Sequence, residues 1–140
     1  MNKVSVVLAI FNEEGNLRTC LESIKDLAWE IVIVDGGSKD KTLKIAGGFK
    51  KRFRNKGTDL KLFYYPYGNQ INAREFGVKK SMGTIIGSLD AEACPNNKWI
   101  LNIEKKFEDE NLVGIGGRSS FRNKGKIFNF FYIINYYIKL

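Results

Sequence analysis

The sequence contains no histidine, and this absence removes several classes of site at once. Catalytic triads with an imidazole base, other histidine general bases and most zinc centres all require that side chain. The two cysteines, Cys20 and Cys94, lie far apart and match neither a metal-binding nor a redox spacing, which fits a reducing compartment. Carboxylates are therefore the main groups left for acid–base chemistry and metal binding.

Long hydrophobic runs are also missing, since no segment reaches the roughly 20 apolar residues that cross a membrane as a helix. The apolar run 4–11 follows Lys3 as in the start of a signal peptide, but it meets a polar segment, 12–14, with no small-residue cleavage site. We therefore interpret the run as the first strand of a cytoplasmic protein. The 140 residues, 44% of them hydrophobic, suffice for one folded core.

Positive charge is concentrated in one stretch of a chain whose formal net charge is +8. Residues 39–61 include nine basic and two acidic residues, whereas residues 1–38 include three basic and six acidic ones. Such a stretch is typical of a solvated face, and it could also steer a phosphorylated ligand or an anionic membrane surface. No RNA- or DNA-binding motif accompanies it, so we expect no nucleic-acid partner.

Strand-like and helix-like segments alternate along the chain. Apolar β-branched runs predict buried strands at residues 4–10, 30–34, 60–65, 84–89 and 112–116. Helices are predicted between them, the first capped by Asn12, the second capped by Ser38 or Asp40 and fading near residues 47–48, the third over 72–82 with its end at Gly83, and the fourth from Pro95. This order predicts βαβ units, an α/β fold and a mostly parallel sheet.

Three polar clusters follow the predicted strands, at residues 11–14, 35–38 and 90–92. In a parallel sheet, ligands bind outside the carboxyl ends of the strands. In an extended strand Asp90 and Glu92 would point the same way and could bind one cation. Carboxylates of this kind suit Mg²⁺ or Mn²⁺, which keep open positions for diphosphate oxygens. Each cluster alone could be a turn or a helix cap, but together they indicate a nucleotide diphosphate site.

Several segments occur in a characteristic order: residues 4–7 with 12–14, 30–42, 73–77 with Gly83, and 89–92. Taken jointly they resemble family 2 glycosyltransferases of the GT-A (nucleotide-diphospho-sugar transferase) fold, over residues 4–117. The resemblance implies an enzyme that transfers a sugar from a nucleotide-diphosphate sugar to a saccharide or lipid-linked acceptor, such as a lipid phosphate. It also implies metal assistance and inversion at the anomeric carbon.

The resemblance implies roles for individual residues around the nucleotide. Asp35 would accept a hydrogen bond from the base. Arg74 would lie near the phosphates. The remaining residues expected to line this pocket are Phe11, Asn12, Glu14, Gly36 and Ser38.

The metal, Mg²⁺ or Mn²⁺, would be held by Asp90 and Glu92, with Glu92 as the principal ligand and Asp90 also facing the ribose. This sequence departs from the family at Glu92, where aspartate is commoner, at Ala9, where proline is common, and at Gly37, where a second acid or small polar residue is common. The family's catalytic base is an acid downstream of the fifth strand, but no Asp or Glu follows Glu110. The chain thus resembles an N-terminal part of the family, with no catalytic base assigned.

The chain is expected to divide into a nucleotide-sugar-binding domain, 1–117, and a basic and aromatic segment, 118–140. The run 127–140 is apolar nearly all round and is preceded by four cations, at 118, 122, 124 and 126. It could pack over the sheet as core or dock on a partner, another copy of the chain or the inner face of the membrane.

A nucleic-acid-binding protein, which could use the basic stretch 39–61 although it lacks a recognisable motif, stays open as an alternative function. Two other functions also remain open at this point. One is a non-catalytic nucleotide-sugar-binding domain that needs a partner. The other is a metal-dependent nucleotidyltransferase, although the first strand of that class leads into a glycine-rich basic loop, which residues 11–14 are not.

Overall fold

A computed structural model describes residues 3–25, 28–117 and 136–139, the last of these as backbone only. Each strand predicted from the sequence is present, and the boundaries agree to within two residues. A sixth strand forms near the end of the chain. The strands are β1 (Val4–Ile10), β2 (Glu30–Asp35), β3 (Asp59–Tyr64), β4 (Ile85–Ser88), β5 (Gly114–Gly116) and β6 (Tyr136–Lys139).

In the described part of the chain, four helices lie between successive strands. Three of them pack on one face of the sheet, where the larger apolar cluster includes Leu17, Phe53 and Ile103, and the third helix in the chain covers the other face through Ala73. None of the helices in the described ranges is long and apolar enough to cross a membrane. They are α1 (Leu17–Ile24), α2 (Thr42–Arg54), α3 (Gln70–Lys80) and α4 (Trp99–Lys106).

The sheet has the strand order β3-β2-β1-β4-β6-β5. The first four of these strands are mutually parallel, whereas β6 runs antiparallel between β4 and β5. This confirms the predicted mostly parallel α/β sheet. β6 belongs to the segment 118–140, and the rest of that segment, including the four cations at 118–126, lies outside the described residues, so the predicted division after residue 117 stays a prediction.

Helix α2 is longer than predicted. It continues through Gly47 and Gly48 to Arg54 because Phe49 and Phe53, one turn apart, are buried against the sheet. An added Cβ at either glycine would meet nothing within 4 Å. The predicted fading of the helix near residues 47–48 was therefore wrong, since tertiary burial outweighs the low helix propensity of glycine. The interpretation of residues 50–57 as a helix tail or loop is confirmed, with residues 50–54 as the helix tail.

Helix α3 begins and ends two residues earlier than predicted. Its N-cap is Asn69, whose side chain accepts from the N–H of Ile71 and of Asn72, and the Asn72 side chain accepts in turn from the Asn69 N–H. Gly83 does not end the helix. A Cβ there would lie 2.5 Å from the carbonyl oxygen of Lys3, so this glycine is required for the close approach of two backbone segments.

A buried carboxylate ties the amino ends of the strands together. Glu30 accepts from the Ser5 hydroxyl (2.5 Å) and the Met82 N–H (2.9 Å), and it forms an ion pair with Lys61. Burial opposes ionisation of this group, but the three donors outweigh that effect and hold the pKa of Glu30 below its ordinary value. The network therefore supports the fold at the edge of the sheet opposite the predicted ligand site.

Candidate functional site

The three polar clusters predicted from the sequence meet at the carboxyl edge of the sheet. Phe11 follows β1, Asp35 ends β2 and Asp90 comes two residues after β4. Because β2, β1 and β4 are neighbours in the sheet, their carboxyl ends place these residues side by side.

The loop after β1 and the loop after β2 hold each other through reciprocal hydrogen bonds. Three N–H groups of the first loop donate to side chains of the second loop and of the first residue of α2, and two N–H groups of the second loop donate to side chains of the first. Such bonds each contribute roughly 0.5–1.5 kcal/mol, and here they hold in place two loops that are neither helix nor strand. The pairs are Asn12 N to Ser38 Oγ (2.8 Å), Glu13 N to Thr42 Oγ1 (2.7 Å), Glu14 N to Asp40 Oδ2 (3.1 Å), Lys39 N to Asn12 Oδ1 (2.9 Å) and Lys41 N to Glu14 Oε2 (3.0 Å).

Asn12 does not cap α1 as predicted, because the helix begins only at Leu17. Asn12 instead adopts a positive φ of 53°, a conformation that asparagine tolerates better than most residues. The side chains of Asn12 and Glu14 therefore stabilise the contact between the loop after β1 and the loop after β2, which together form one wall of the site. Phe11, which precedes them, leaves 58% of its surface exposed at the edge of the sheet.

Asp35 is the last residue of β2 at this edge, and its side chain is fully buried. Its Oδ2 accepts from the N–H of Gly37 (3.0 Å) and of Ser38 (2.9 Å), which closes the tight turn after β2. Gly37 has a φ of 99°, so a glycine is favoured there. The second oxygen, Oδ1, is buried without a hydrogen-bond partner in the described part of the chain. A buried carboxylate oxygen in that state is a vacant acceptor position.

Two aromatic rings border the turn at Asp35. Phe11 lies beside Gly36, and the Tyr64 hydroxyl lies 3.7 Å from the position that a Cβ on Gly37 would take. Tyr64 is 63% exposed. The sequence interpretation missed Tyr64, although its place at the end of a predicted parallel strand was a usable signal.

Arg74 on α3 reaches the cluster after β4. Its Nη2 donates to Oδ1 of Asp90 at 2.6 Å, and both side chains are partly exposed. The helix comes this close because Gly77 packs on β1 and β2, where a Cβ would lie 2.6 Å from Cγ1 of Val7. Arg74 Nε and the hydroxyl of Ser88 are both buried without a partner among residues 3–25 and 28–117. The sequence interpretation missed Ser88.

The acid pair after β4 does not have the predicted extended geometry. β4 ends at Ser88, and the chain then turns, with the N–H of Ala93 donating to the carbonyl of Asp90 at 3.0 Å. Strand alternation therefore does not align Glu92 with Asp90, and Glu92 is exposed. The described ranges contain no cluster of three or more metal-ligating side chains. Two carboxylates nevertheless fit Mg²⁺ or Mn²⁺, because these ions commonly use one or two protein carboxylates together with phosphate oxygens of the substrate.

Cys20 does not supply a nucleophile to this site. The Cys20 thiol lies under the turn and donates to the carbonyl of Asp90 at 3.7 Å. Burial raises the pKa of Cys20 to about 12, so the thiol stays neutral and does not act as a nucleophile.

Comparison with known proteins identifies the family. The sequence profile described as Glycosyl transferase family 2 matches residues 5–137. The chain belongs to glycosyltransferase family 2. One family relative, glycosyltransferase AglE of Haloferax volcanii, is 27% identical over 123 residues, which cover 84% of this chain and 40% of that protein. Another, from Methanococcus voltae, is a dolichyl N-acetyl-alpha-D-glucosaminyl phosphate 3-beta-D-2,3-diacetamido-2,3-dideoxy-beta-D-glucuronosyltransferase, 32% identical over 129 residues, which cover 84% of this chain and 39% of that protein.

Solved structures confirm the GT-A fold of this family 2 chain. The mannosyltransferase PcManGT of Pyrobaculum calidifontis, in complex with GDP-Man and Mn²⁺, has a TM-score of 0.76 at 18% identity and covers 99% of this chain and 44% of its own. TarS 1–349 of S. aureus in complex with UDP has a TM-score of 0.67 at 24% identity and covers 89% of this chain and 38% of its own. The chain spans about two-fifths of the length of the two relatives from Haloferax volcanii and Methanococcus voltae.

Proposed function

We propose that this chain forms the donor-binding part of an enzyme that transfers a sugar from a nucleotide diphosphate to a saccharide or lipid-linked acceptor. The observation that carries the proposal is the vacant Oδ1 of Asp35, an oxygen of the turn that the exposed residues Phe11 and Tyr64 border at the carboxyl edge of the sheet. A nucleobase supplies both what the vacant oxygen lacks, an N–H donor, and a flat surface for the rings. Because Asp35 is fully buried, the base reaches Oδ1 only when a covering group moves.

The state of the Asp35 carboxylate favours uridine as the nucleoside. Its Oδ2 already accepts two backbone N–H groups, so only one oxygen remains for the base. Uracil offers a single N–H between two carbonyl groups and matches one acceptor. Guanine offers adjacent N–H groups that suit a carboxylate with both oxygens free, and it would leave one donor unpaired here.

The diphosphate is assigned to Arg74 and to the metal held by Asp90 and Glu92. When bound, Mg²⁺ or Mn²⁺ neutralises negative charge on the departing nucleoside diphosphate. The chain's own contribution is to position the donor: the loops joined by Asn12 and Ser38 hold the nucleoside side, with Glu14 and Gly36 in the same wall.

Transfer of the sugar to the acceptor depends on a catalytic base, which none of the residues assigned to the donor site supplies. A hydroxyl acceptor needs a positioned base, typically a contribution of about 10² to 10⁴ in rate, and no acid follows Glu110. We expect the 140-residue chain to bind donor with metal but to transfer sugar very slowly unless another segment or subunit, including a second copy, supplies the base. A lipid-linked acceptor would bring the protein to the inner face of the membrane.

Thermal unfolding tests the proposal. UDP should raise the melting temperature more in the presence of Mn²⁺ than with a chelator, and GDP should give a smaller shift than UDP. Glu92→Ala should abolish the difference that Mn²⁺ makes, because it removes the principal ligand. Glu110→Ala serves as the matched control, since Glu110 is an exposed acid beyond the end of α4. Equal shifts with metal and with chelator would contradict the metal assignment, and no shift with any nucleotide would contradict the donor site.

A further inference from the structure

Asp90 already has a counter-ion within the chain. The guanidinium of Arg74 donates to Oδ1 of Asp90 at 2.6 Å, and the two side chains are 27% and 29% exposed. A pair this close and partly shielded from water is stronger than an ordinary surface ion pair. The carboxylate proposed to face the metal is therefore neutralised by an arginine when no ligand is bound.

The surroundings of this ion pair contain unused donors. Arg74 Nε and Ser88 Oγ are buried and have no partner in the described part of the chain. Ser88 lies on the α3 side of the sheet because it alternates with Gly87 and shares a face with Ile86, which packs in one cluster with Ala73. A polar network with buried donors left over is incomplete, and an anion with several oxygens, such as a diphosphate, is what completes it.

The backbone that carries Arg74 is held firmly, so its side chain is the part free to rearrange. The capping box of Asn69 and Asn72 fixes the first turn of α3. Gly77 then holds the helix against Val7 at a distance that leaves no room for a Cβ. A change of partner at Arg74 is thus a side-chain rotation on a fixed helix.

We infer that Arg74 is a positioning residue that occupies Asp90 until a nucleotide diphosphate arrives, so that nucleotide binds before metal. This inference rests on the proposed donor site. A divalent cation on Asp90 would be repelled by the neighbouring guanidinium, which makes metal binding to the free protein weak. Diphosphate oxygens draw Arg74 away, satisfy its unused Nε and release Asp90 for the cation. Nucleotide and metal then strengthen each other's binding by the same factor.

Binding of Mn²⁺ in the absence of nucleotide tests the inference. The electron paramagnetic resonance signal of free Mn²⁺ is titrated with wild-type protein and with Arg74→Gln, and then again with UDP present. Without UDP, Arg74→Gln should bind Mn²⁺ about tenfold more tightly than wild type, or about 1.4 kcal/mol. With UDP, wild type should gain Mn²⁺ affinity and Arg74→Gln should gain much less. Arg74→Lys, which keeps the charge, should resemble wild type in the absence of UDP.

Lys79→Gln is the matched control, because it removes one positive charge from the same helix at a residue paired with Glu75 instead of with Asp90. It should leave Mn²⁺ affinity unchanged. Adding Asp90→Asn to Arg74→Gln should remove the gain in Mn²⁺ affinity that Arg74→Gln shows without UDP. If circular dichroism shows that Arg74→Gln is unfolded, Arg74→Met takes its place.

Two results would overturn the inference about Arg74 and leave the proposed donor site standing, provided that UDP still raises the Mn²⁺ affinity of wild type. One is an equal Mn²⁺ affinity of wild type and Arg74→Gln without UDP, and the other is a gain that survives Asp90→Asn. Failure of wild type to bind UDP with or without Mn²⁺ would instead overturn the donor site, and the inference with it.

Discussion

Asp35→Asn separates the two tasks of the Asp35 side chain. The asparagine carbonyl can keep accepting from the N–H groups of Gly37 and Ser38, which lie 3.0 and 2.9 Å from Oδ2 in the native turn. Its amide NH₂ then takes the place of Oδ1, the oxygen that has no partner. The substitution therefore preserves the turn and converts the vacant acceptor into a donor.

The expected loss follows from that reversal. A hydrogen bond to a charged acceptor contributes about 1.5–3 kcal/mol, and an N–H of the base would now face another N–H. The affinity for UDP should fall by a factor of about 10 to 150, since 1.4 kcal/mol corresponds to tenfold. The stability of the free protein should change little or rise, because a buried carboxylate oxygen without a partner is itself unfavourable.

Isothermal titration calorimetry with UDP measures the affinity, and urea unfolding measures the stability of the same variant. Asp40→Asn is a suitable control, since Asp40 accepts from the N–H of Glu14 in the first site loop and of Thr42 at the start of α2 but has no vacant buried oxygen among the described residues. UDP affinity of Asp35→Asn within twofold of wild type, with the protein folded, would refute the assignment of Asp35 to the base. Asp35 would then be a turn residue only.

Glu30→Gln should lower the free energy of unfolding at pH 7 by about 1–3 kcal/mol, because it leaves Lys61 without its carboxylate. The folded-state pKa of Glu30 is below its ordinary value, so its contribution to stability is present above the unfolded-state pKa and is lost as the pH falls through the folded-state pKa. In urea unfolding between pH 7 and pH 3, the difference in free energy of unfolding between wild type and Glu30→Gln should therefore become smaller as the pH falls. A difference that stays constant would contradict this. Gly83→Ala should destabilise the protein by about 1–3 kcal/mol, since its Cβ would meet backbone at Lys3. Gly47→Ala, in open space on a helix, should stabilise the protein by up to about 1 kcal/mol. In thermal melts, a melting temperature of Gly83→Ala that is not lowered would contradict the first expectation, and a lowered melting temperature of Gly47→Ala would contradict the second.

The strand assignments were predictable because each strand carries its own signal. β1 and β2 are buried along their whole length, and a fully buried strand must be apolar at nearly every position, which is visible without any partner. The parallel arrangement followed from alternation with helices, and it correctly placed Phe11, Asp35 and Asp90 at one edge.

Other features depended on contacts between residues far apart in the sequence. The continuation of α2 past Gly47 required the sheet against which Phe49 and Phe53 are buried. The insertion of β6 between β4 and β5 required strand pairing across more than 20 residues, which no local pattern specifies. The role of Gly83 depended on the position of Lys3, some 80 residues earlier.

The side chains at the carboxyl edge of the sheet also show which properties are local to the sequence and which depend on tertiary structure. The sequence by itself determined which side chains are available there, because residue type and strand position are local properties. Only the tertiary structure decided their states: one oxygen of Asp35 is used by the turn and the other is vacant, and Asp90 is paired with Arg74 instead of aligned with Glu92. The physical reason is that a hydrogen bond or ion pair depends on distances of about 3 Å between separate elements, and those distances are set only when the helices pack on the sheet.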